Sequence, residues 1–335
     1  MTLRLLRKAL NIIIPIFLGG AILYWMYRNF DFDSVRQVLL SEMNWWWMLL
    51  SMPFGVLAQM FRAWRWKQAL EPLDEHPRTN NCMNAVFLSY ASSLVVPRIG
   101  EFMRCAVLRK KDGTNFAKAL GTVVTERAVD SLIVLVITAL VLLLQMPVFM
   151  TFFSRTGTRI DALEQFLGGF STAGYFVVAV CLIVTLVGAY FFLKRLSVYD
   201  KMRTTLCGLI DGVMSLRKVA NVPLFLFYSL AIWASYFLHY YLTFFCFEGT
   251  AHLGMMCAMV TFIVGSIAVL VPTPNGAGSW HFAVKTMLIL YGVADTDALY
   301  FVLIVHTLQT LLVALLGIYA WISIGLTQDM PKENK

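Results

Sequence analysis

The sequence predicts an all-α polytopic membrane protein, with six full spans and two Pro/Gly-broken re-entrant helical hairpins in an inverted repeat (about eight apparent spans). Three observations predict it. The 335 residues are 59% hydrophobic and only 14% charged, where a soluble domain carries roughly a quarter charged residues. Two apolar stretches are broken by matching clusters, Val96-Pro97-Arg98-Ile99-Gly100-Glu101 and Val271-Pro272-Thr273-Pro274-Asn275-Gly276-Ala277-Gly278. Each break precedes a long apolar helix carrying polar groups: Glu126, Arg127 and Asp130 in one, His306, Thr307 and Gln309 in the other. Unwound backbone is tolerated at membrane depth only where it lines a cavity or is buried in protein. A matched pair of breaks therefore points to a transport site.

Full spans are expected near 9–27, 44–61, 117–146, 173–193, 222–247 and 298–325, each close to the roughly 20 residues a bilayer requires. Arg4, Arg7 and Lys8 precede the first run, which is too long for a signal-peptide core and reads as a retained span. Trp45, Trp46 and Trp47, with Trp64 and Trp66 at the far end of the second span, read as interfacial belts. Residues 82–110 and 254–291 are the hairpins, hinged at Pro97 and at Pro272 and Pro274. The loops 62–81, 147–172 and 194–221 are too short for a separate core. The chain thus reads as one integral membrane domain, 1–335. Its first half is about 9–146 and its second about 173–325.

Basic residues orient this arrangement. With both termini cytoplasmic, 21 of the 27 Lys and Arg fall on the cytoplasmic side, including Arg62, Arg65, Lys67 and Arg78 in the loop 62–81. Three full spans separate the two breaks, so the first hairpin enters from the cytoplasm and the second from outside. The net charge of +8 follows from this bias and calls for no nucleic acid. The expected location is a cell membrane, a bacterial inner membrane.

The third span holds the densest charge. Glu126 and Asp130 are i and i+4 and share a face, and Arg127 is i+3 from Asp130. Charges at this depth are costly unless paired, and they mark pathways or relays. A structural Arg127–Asp130 pair is the bland alternative. At the first break, Arg98 and Arg104 flank Glu101 at i+3 on either side. The arginine fork suits a phosphate, and the backbone N–H groups after Pro97 add anion affinity. An interfacial salt-bridge cluster would use the same residues. The second break offers Asn275, Ser279, His281 and free backbone, with Gly276 and Gly278 permitting close approach. The expected phosphate-binding set is Arg98, Gly100, Glu101, Arg104, Arg127, Asn275, Gly276 and Gly278. Glu126, Asp130 and His306 form the relay or structural pair. His239 and His306 either relay protons or bond a neighbouring carbonyl. Two DxD triplets, Asp31/Asp33 and Asp295/Asp297, sit where Asp commonly caps a helix. The six cysteines show no ligand spacing, and no nucleotide or hydrolase fingerprint is present, so neither metal, cofactor nor catalytic residue is expected.

Arg98-Ile99-Gly100-Glu101-Phe102-Met103-Arg104 resembles the RxGE-x-x-R element of the flippase-like family typified by the transmembrane region of lysylphosphatidylglycerol synthase. Glu126-Arg127-x-x-Asp130 resembles its ER-x-x-D element, and Pro272 to Gly278 its P-x-P-G-G-x-G element. Asn275 replaces the usual first glycine, and His281 stands where a glutamate often follows. The resemblance spans roughly 10–325 and implies a fold that moves lipids or lipid-linked carriers between leaflets. The synthase's soluble aminoacyl-transfer domain has no counterpart here, so lipid lysylation by this chain is not expected.

Three functional readings follow. The first is a translocase for an anionic phospholipid or polyprenyl-phosphate-linked carrier, its phosphate near mid-membrane between the hairpin tips. The second is an accessory membrane subunit for a separate lipid-modifying enzyme. The third is a membrane-embedded lipid-sugar transferase, which would need metal dependence traced to a DxD triplet. The expected partner is a membrane lipid or lipid-linked carrier, joined in the second reading by a separate lipid-modifying enzyme.

Overall fold

The computed structural model describes residues 17, 19–28, 32–96, 99–146, 221–271 and 273–328. The expected span 173–193, the loop 147–172, nearly all of the loop 194–221, most of the span 9–27, and the residues Pro97, Arg98 and Pro272 lie outside them. Eight helices carry the described architecture: α1 (Trp45–Leu70), α2 (Thr79–Val95), α3 (Ile99–Asp112), α4 (Phe116–Leu144), α5 (Val222–Tyr241), α6 (Met255–Ala268), α7 (Ser279–Leu290) and α8 (Asp295–Leu326).

Local chemistry sets where several of these helices begin. The side chain of Asn44 accepts from the Trp46 N–H at 3.2 Å, and that of Asn115 from the Ala117 and Lys118 N–H groups at 2.9 and 3.2 Å. Asn221 accepts from Leu224 N–H at 3.0 Å. Pro223 follows in the first turn, where a missing N–H breaks no helical bond. Among the described residues, three segments are long and apolar enough to cross a membrane: Phe116–Leu144, Val222–Cys246 and Asp295–Leu326. They coincide with the spans expected at 117–146, 222–247 and 298–325. Their outward faces expose Leu132, Leu135, Val136 and Leu140 on α4, and Leu311, Leu315, Ile318 and Trp321 on α8. Such faces need an acyl environment.

The second expected span requires correction. α1 continues nine residues past position 61, through Arg62 and Arg65, to Leu70. These arginines are buried inside the bundle rather than solvated in a loop, because α4 supplies carboxylates to neutralise them. Trp66 is likewise no interfacial anchor. It is fully buried and donates its indole N–H to Thr122 Oγ1 at 3.0 Å.

Each helix pair α2/α3 and α6/α7 packs as a hairpin, and the two open at opposite ends of the bundle. At one end, Arg78 before α2 pairs with Asp112 closing α3 at 2.7 Å, and Lys111 donates to the Thr327 carbonyl after α8 at 2.7 Å. Lys118 at the start of α4 reaches the Leu73 carbonyl after α1, also at 2.7 Å. At the other end, Asn44 N–H donates to the Cys246 carbonyl at 2.9 Å, joining the start of α1 to the exit of α5. There too Lys285 of α7 pairs with Asp295 at the start of α8 at 2.8 Å, and Tyr291 donates to Gln145 beyond α4 at 3.3 Å.

The tips therefore point toward each other. The second tip, Pro274–Gly276, rests on α2 and on the middle of α8, where Asn275 Nδ2 donates to Thr310 Oγ1 at 2.7 Å. α2 crosses α8 closely because Gly317 has no side chain: a Cβ there would run into that of Ala91. The order long helix, hairpin, long helix occurs twice, and α1 packs along α5 to join the halves. Each half has its own apolar core. One gathers Trp66, Cys82, Cys105, Leu108 and Val123, and the other Phe237, Phe244, Val284, Leu288 and Phe301.

Candidate functional site

α4 meets α1 and α3 through a chain of buried ions. Glu126 and Arg65 are 0% exposed, Arg104 2% and Arg62 3%. Arg104 Nη2 lies 2.7 Å from Glu126 Oε2, and Arg65 Nε lies 3.5 Å from Glu126 Oε1. Arg65 Nη1 then reaches Asp130 Oδ1 at 2.8 Å, whose other oxygen takes Arg62 Nη1 at 2.6 Å. Helical spacing makes the chain continuous: Arg62 and Arg65 are i and i+3 on α1, facing Glu126 and Asp130 at i and i+4 on α4. Arg104 also stacks over the Trp66 ring at 4.5 Å, and Arg65 donates to Ser229 Oγ at 3.1 Å. Removing such ions from water costs several kcal/mol each, so their mutual pairing is a condition of burying them.

The charges do not balance. Arg127, at the rim, pairs with Glu101 at 2.8 Å and stands 3.9 Å from Asp130. Counting it, four arginines (62, 65, 104, 127) meet three carboxylates (101, 126, 130) among the described residues. One positive charge is left over.

That excess borders a cavity of about 680 Å³ lined by residues of α1, α2, α4, α5, α6, α7, α8 and the second hairpin tip. Its polar floor is Arg62, Arg127, Asp130, Tyr90 and Tyr236, with the Arg62 guanidinium 5.8 and 6.0 Å from the two tyrosine ring centres. Its apolar lining includes Val134 of α4, Phe262 and Ile267 of α6, and Leu312 of α8. Asn275, His306 and Thr310 close it at the tip. An amphiphile with an anionic end matches this division. Gln59 Oε1, Thr138 Oγ1 and Trp233 Nε1 also line it, buried and without a hydrogen-bond partner among the described residues.

The expected phosphate-binding set is dispersed by the structure. Arg127 and Asn275 line the cavity. Arg104 does not: it turns to Glu126 instead of Glu101, whose partner is Arg127. Gly100 is buried between α3 and α2, where a Cβ would collide with the Ser89 carbonyl oxygen and the Ser93 hydroxyl. Gly276 and Gly278 adopt φ of +71° and +84°, a region L side chains resist. They pack against Val269 and against Gly19 and Ile22 respectively, so they shape the tip rather than the cavity wall. Pro274 opens the tip's helical turn. Pro97, Arg98 and Pro272 lie outside the described residues.

Glu126 and Asp130 are held by arginines, and Asp130 takes Arg62 and Arg65 in preference to Arg127. Both span histidines bond carbonyls: His239 Nδ1 lies 2.8 Å from the Ser51 oxygen, His306 Nε2 3.1 Å from that of Asn275. Of the DxD triplets, Asp295 pairs with Lys285, and Asp297 lies against Gly249 in the first turn of α8. A carboxylate there complements the helix dipole.

Arg62, Arg65, Gln59, Tyr90, Tyr236 and Trp233 are absent from the sequence-derived set. The available signal was the stripe Gln59, Arg62, Arg65, spaced three residues apart on one helical face. Residues 12–317 match the family described as lysylphosphatidylglycerol synthase TM region. No curated protein and no solved structure matches the chain.

Proposed function

The chain belongs to the lysylphosphatidylglycerol synthase TM region family and is a multi-pass membrane protein, and on that premise we propose that it is a lipid translocase. Its substrate is an anionic phospholipid or a polyprenyl-phosphate-linked carrier, with the phosphate held near mid-membrane by Arg62 and Arg127. The membrane arrangement we propose is six full spans and two oppositely inserted hairpins, both termini cytoplasmic, in a bacterial inner membrane. The observation that carries the reading is the excess of one arginine over carboxylates, among the described residues, at the edge of a cavity that combines polar and apolar lining. An uncompensated charge in a low-dielectric interior is costly, and a phosphate entering beside Arg62 and Arg127 would offset that cost.

Glu126 and Asp130 have a positioning role in this reading: they fix the arginines that face the ligand. Inverted hairpins meeting at mid-depth support alternating access by rocking one half against the other. The driving force is the lipid gradient itself or an ion gradient.

The test is leaflet exchange of fluorescent phosphatidylglycerol in vesicles holding the purified chain. Arg62→Gln and Arg127→Gln should each slow exchange roughly tenfold or more, the loss expected for one charge-assisted hydrogen bond. Arg127 is half-exposed, so its variant retains the fold. Wild-type rates in both variants would overturn the assignment. Exchange that is absent from the isolated wild-type chain, with a soluble enzyme co-purifying, would favour the accessory-subunit reading.

A further inference from the structure

We propose that the cavity selects a lipid phosphate bearing a neutral, hydroxylated headgroup, read by Gln59 and Trp233; this rests on the cavity being a lipid-phosphate site. Gln59 is 3% exposed and its Oε1 has no partner among the described residues, while the half-buried Trp233 leaves its indole N–H equally unmet. Both residues line the cavity. An acyl chain cannot satisfy either. A hydroxyl can satisfy both kinds, donating to the amide oxygen and accepting from the indole N–H.

Position supports the pairing with phosphate. Gln59 precedes Arg62 by one helical turn on the same face of α1. Trp233 precedes Tyr236, whose ring lies 6.0 Å from the Arg62 guanidinium, by one turn of α5. A phosphate on Arg62 would thus have both residues one helical turn beyond its immediate surroundings.

Ammonium headgroups are disfavoured by the same geometry. Asp130 is the one carboxylate lining the cavity among the described residues, and its two oxygens already stand in ion pairs, 2.6 Å from Arg62 and 2.8 Å from Arg65. Arg62 and Arg127 would repel an ammonium, and the carboxylate that could attract it is already shared by two arginines. Zwitterionic and aminoacylated lipids are thereby selected against, and glycerol or sugar headgroups are favoured.

Native mass spectrometry of the purified full chain, equilibrated with equal amounts of two lipids at a time, tests this. Wild type should retain phosphatidylglycerol over phosphatidic acid, which lacks the headgroup, by about tenfold, the ratio one net hydrogen bond sustains. Phosphatidylethanolamine should be retained least. A polyprenyl-phosphate hexose run against phosphatidylglycerol tells the sugar source from the glycerol source. Gln59→Leu and Trp233→Phe should lower phosphatidylglycerol to the level of phosphatidic acid and leave phosphatidic acid unchanged. Gln59→Glu supplies the free carboxylate the cavity lacks and should shift retention toward phosphatidylethanolamine; it keeps the test alive if the apolar variant misfolds. Equal retention of phosphatidylglycerol and phosphatidic acid by wild type, both above phosphatidylethanolamine, would overturn the headgroup inference and leave the phosphate site standing. No preference for any anionic lipid would overturn the site itself.

Discussion

Glu126 is held from two sides, by Arg104 of α3 and Arg65 of α1, and has no exposed atom. Neutralising it would leave Arg104 buried over Trp66 with no counter-charge among the described residues. Glu126→Gln is therefore expected to cost about 3–5 kcal/mol, the penalty for one orphaned member of a buried pair. Removing both members together, as Arg104→Met with Glu126→Leu, should cost markedly less than the sum of the single changes, since no charge is then left alone. Unfolding in detergent micelles measures both. Additive losses would mean that Arg104 and Glu126 are not coupled and that the cluster is held by Arg65 alone. This residue-scale organisation also separates roles: Glu126 and Arg104 join helices, while Arg62 and Arg127 present charge to the cavity.

Among elements, the hairpins depend on close backbone approach. Gly100 lies in the first turn of α3, where an added methyl would strike the Ser89 carbonyl, a backbone atom that cannot swing aside. Gly100→Ala should force α3 off α2 and cost about 1–3 kcal/mol as an overpacked contact. Gly121→Ala on α4 is the control. A Cβ there meets nothing within 4 Å, and alanine should stabilise the helix by up to about 1 kcal/mol. Equal stability of the two variants would mean that the hairpin contact does not constrain α3. These elements were readable in advance because prolines and glycines announce breaks locally, and because α4, α5 and α8 carry continuous apolar runs. The second half of α1 was not. Hydropathy takes Arg62 and Arg65 for solvated charges, and their neutralising partner Asp130 stands more than sixty residues away in sequence. The partner of Arg104 was hidden for the same reason: Glu101 is its neighbour in sequence, whereas helix packing delivers Glu126. Spacing within a helix was legible, but partnership between helices had to be seen.

At the scale of the whole molecule, two hairpins that open at opposite ends share one meeting place on α8. In the proposed translocation, movement between access states would change that place, because the second tip touches α2 and α8 together. Asn275 Nδ2 and Thr310 Oγ1, 2.7 Å apart, are the closest polar contact of tip to helix. His306 adds a second at the Asn275 carbonyl. In a Cys181→Ser/Cys207→Ser background, cysteines at 275 and 310 would form a bridge across the joint, and the remaining Cys82, Cys105, Cys246 and Cys257 are buried, away from oxidant. The double variant Asn275→Cys/Thr310→Cys should exchange lipid when reduced, stop when oxidised, and recover on adding reductant. Each single variant should be indifferent to oxidant. Continued exchange with the bridge fully formed would mean that tip and α8 move as one body, and the hinge would then lie elsewhere, between α1 and α5 where the two halves join.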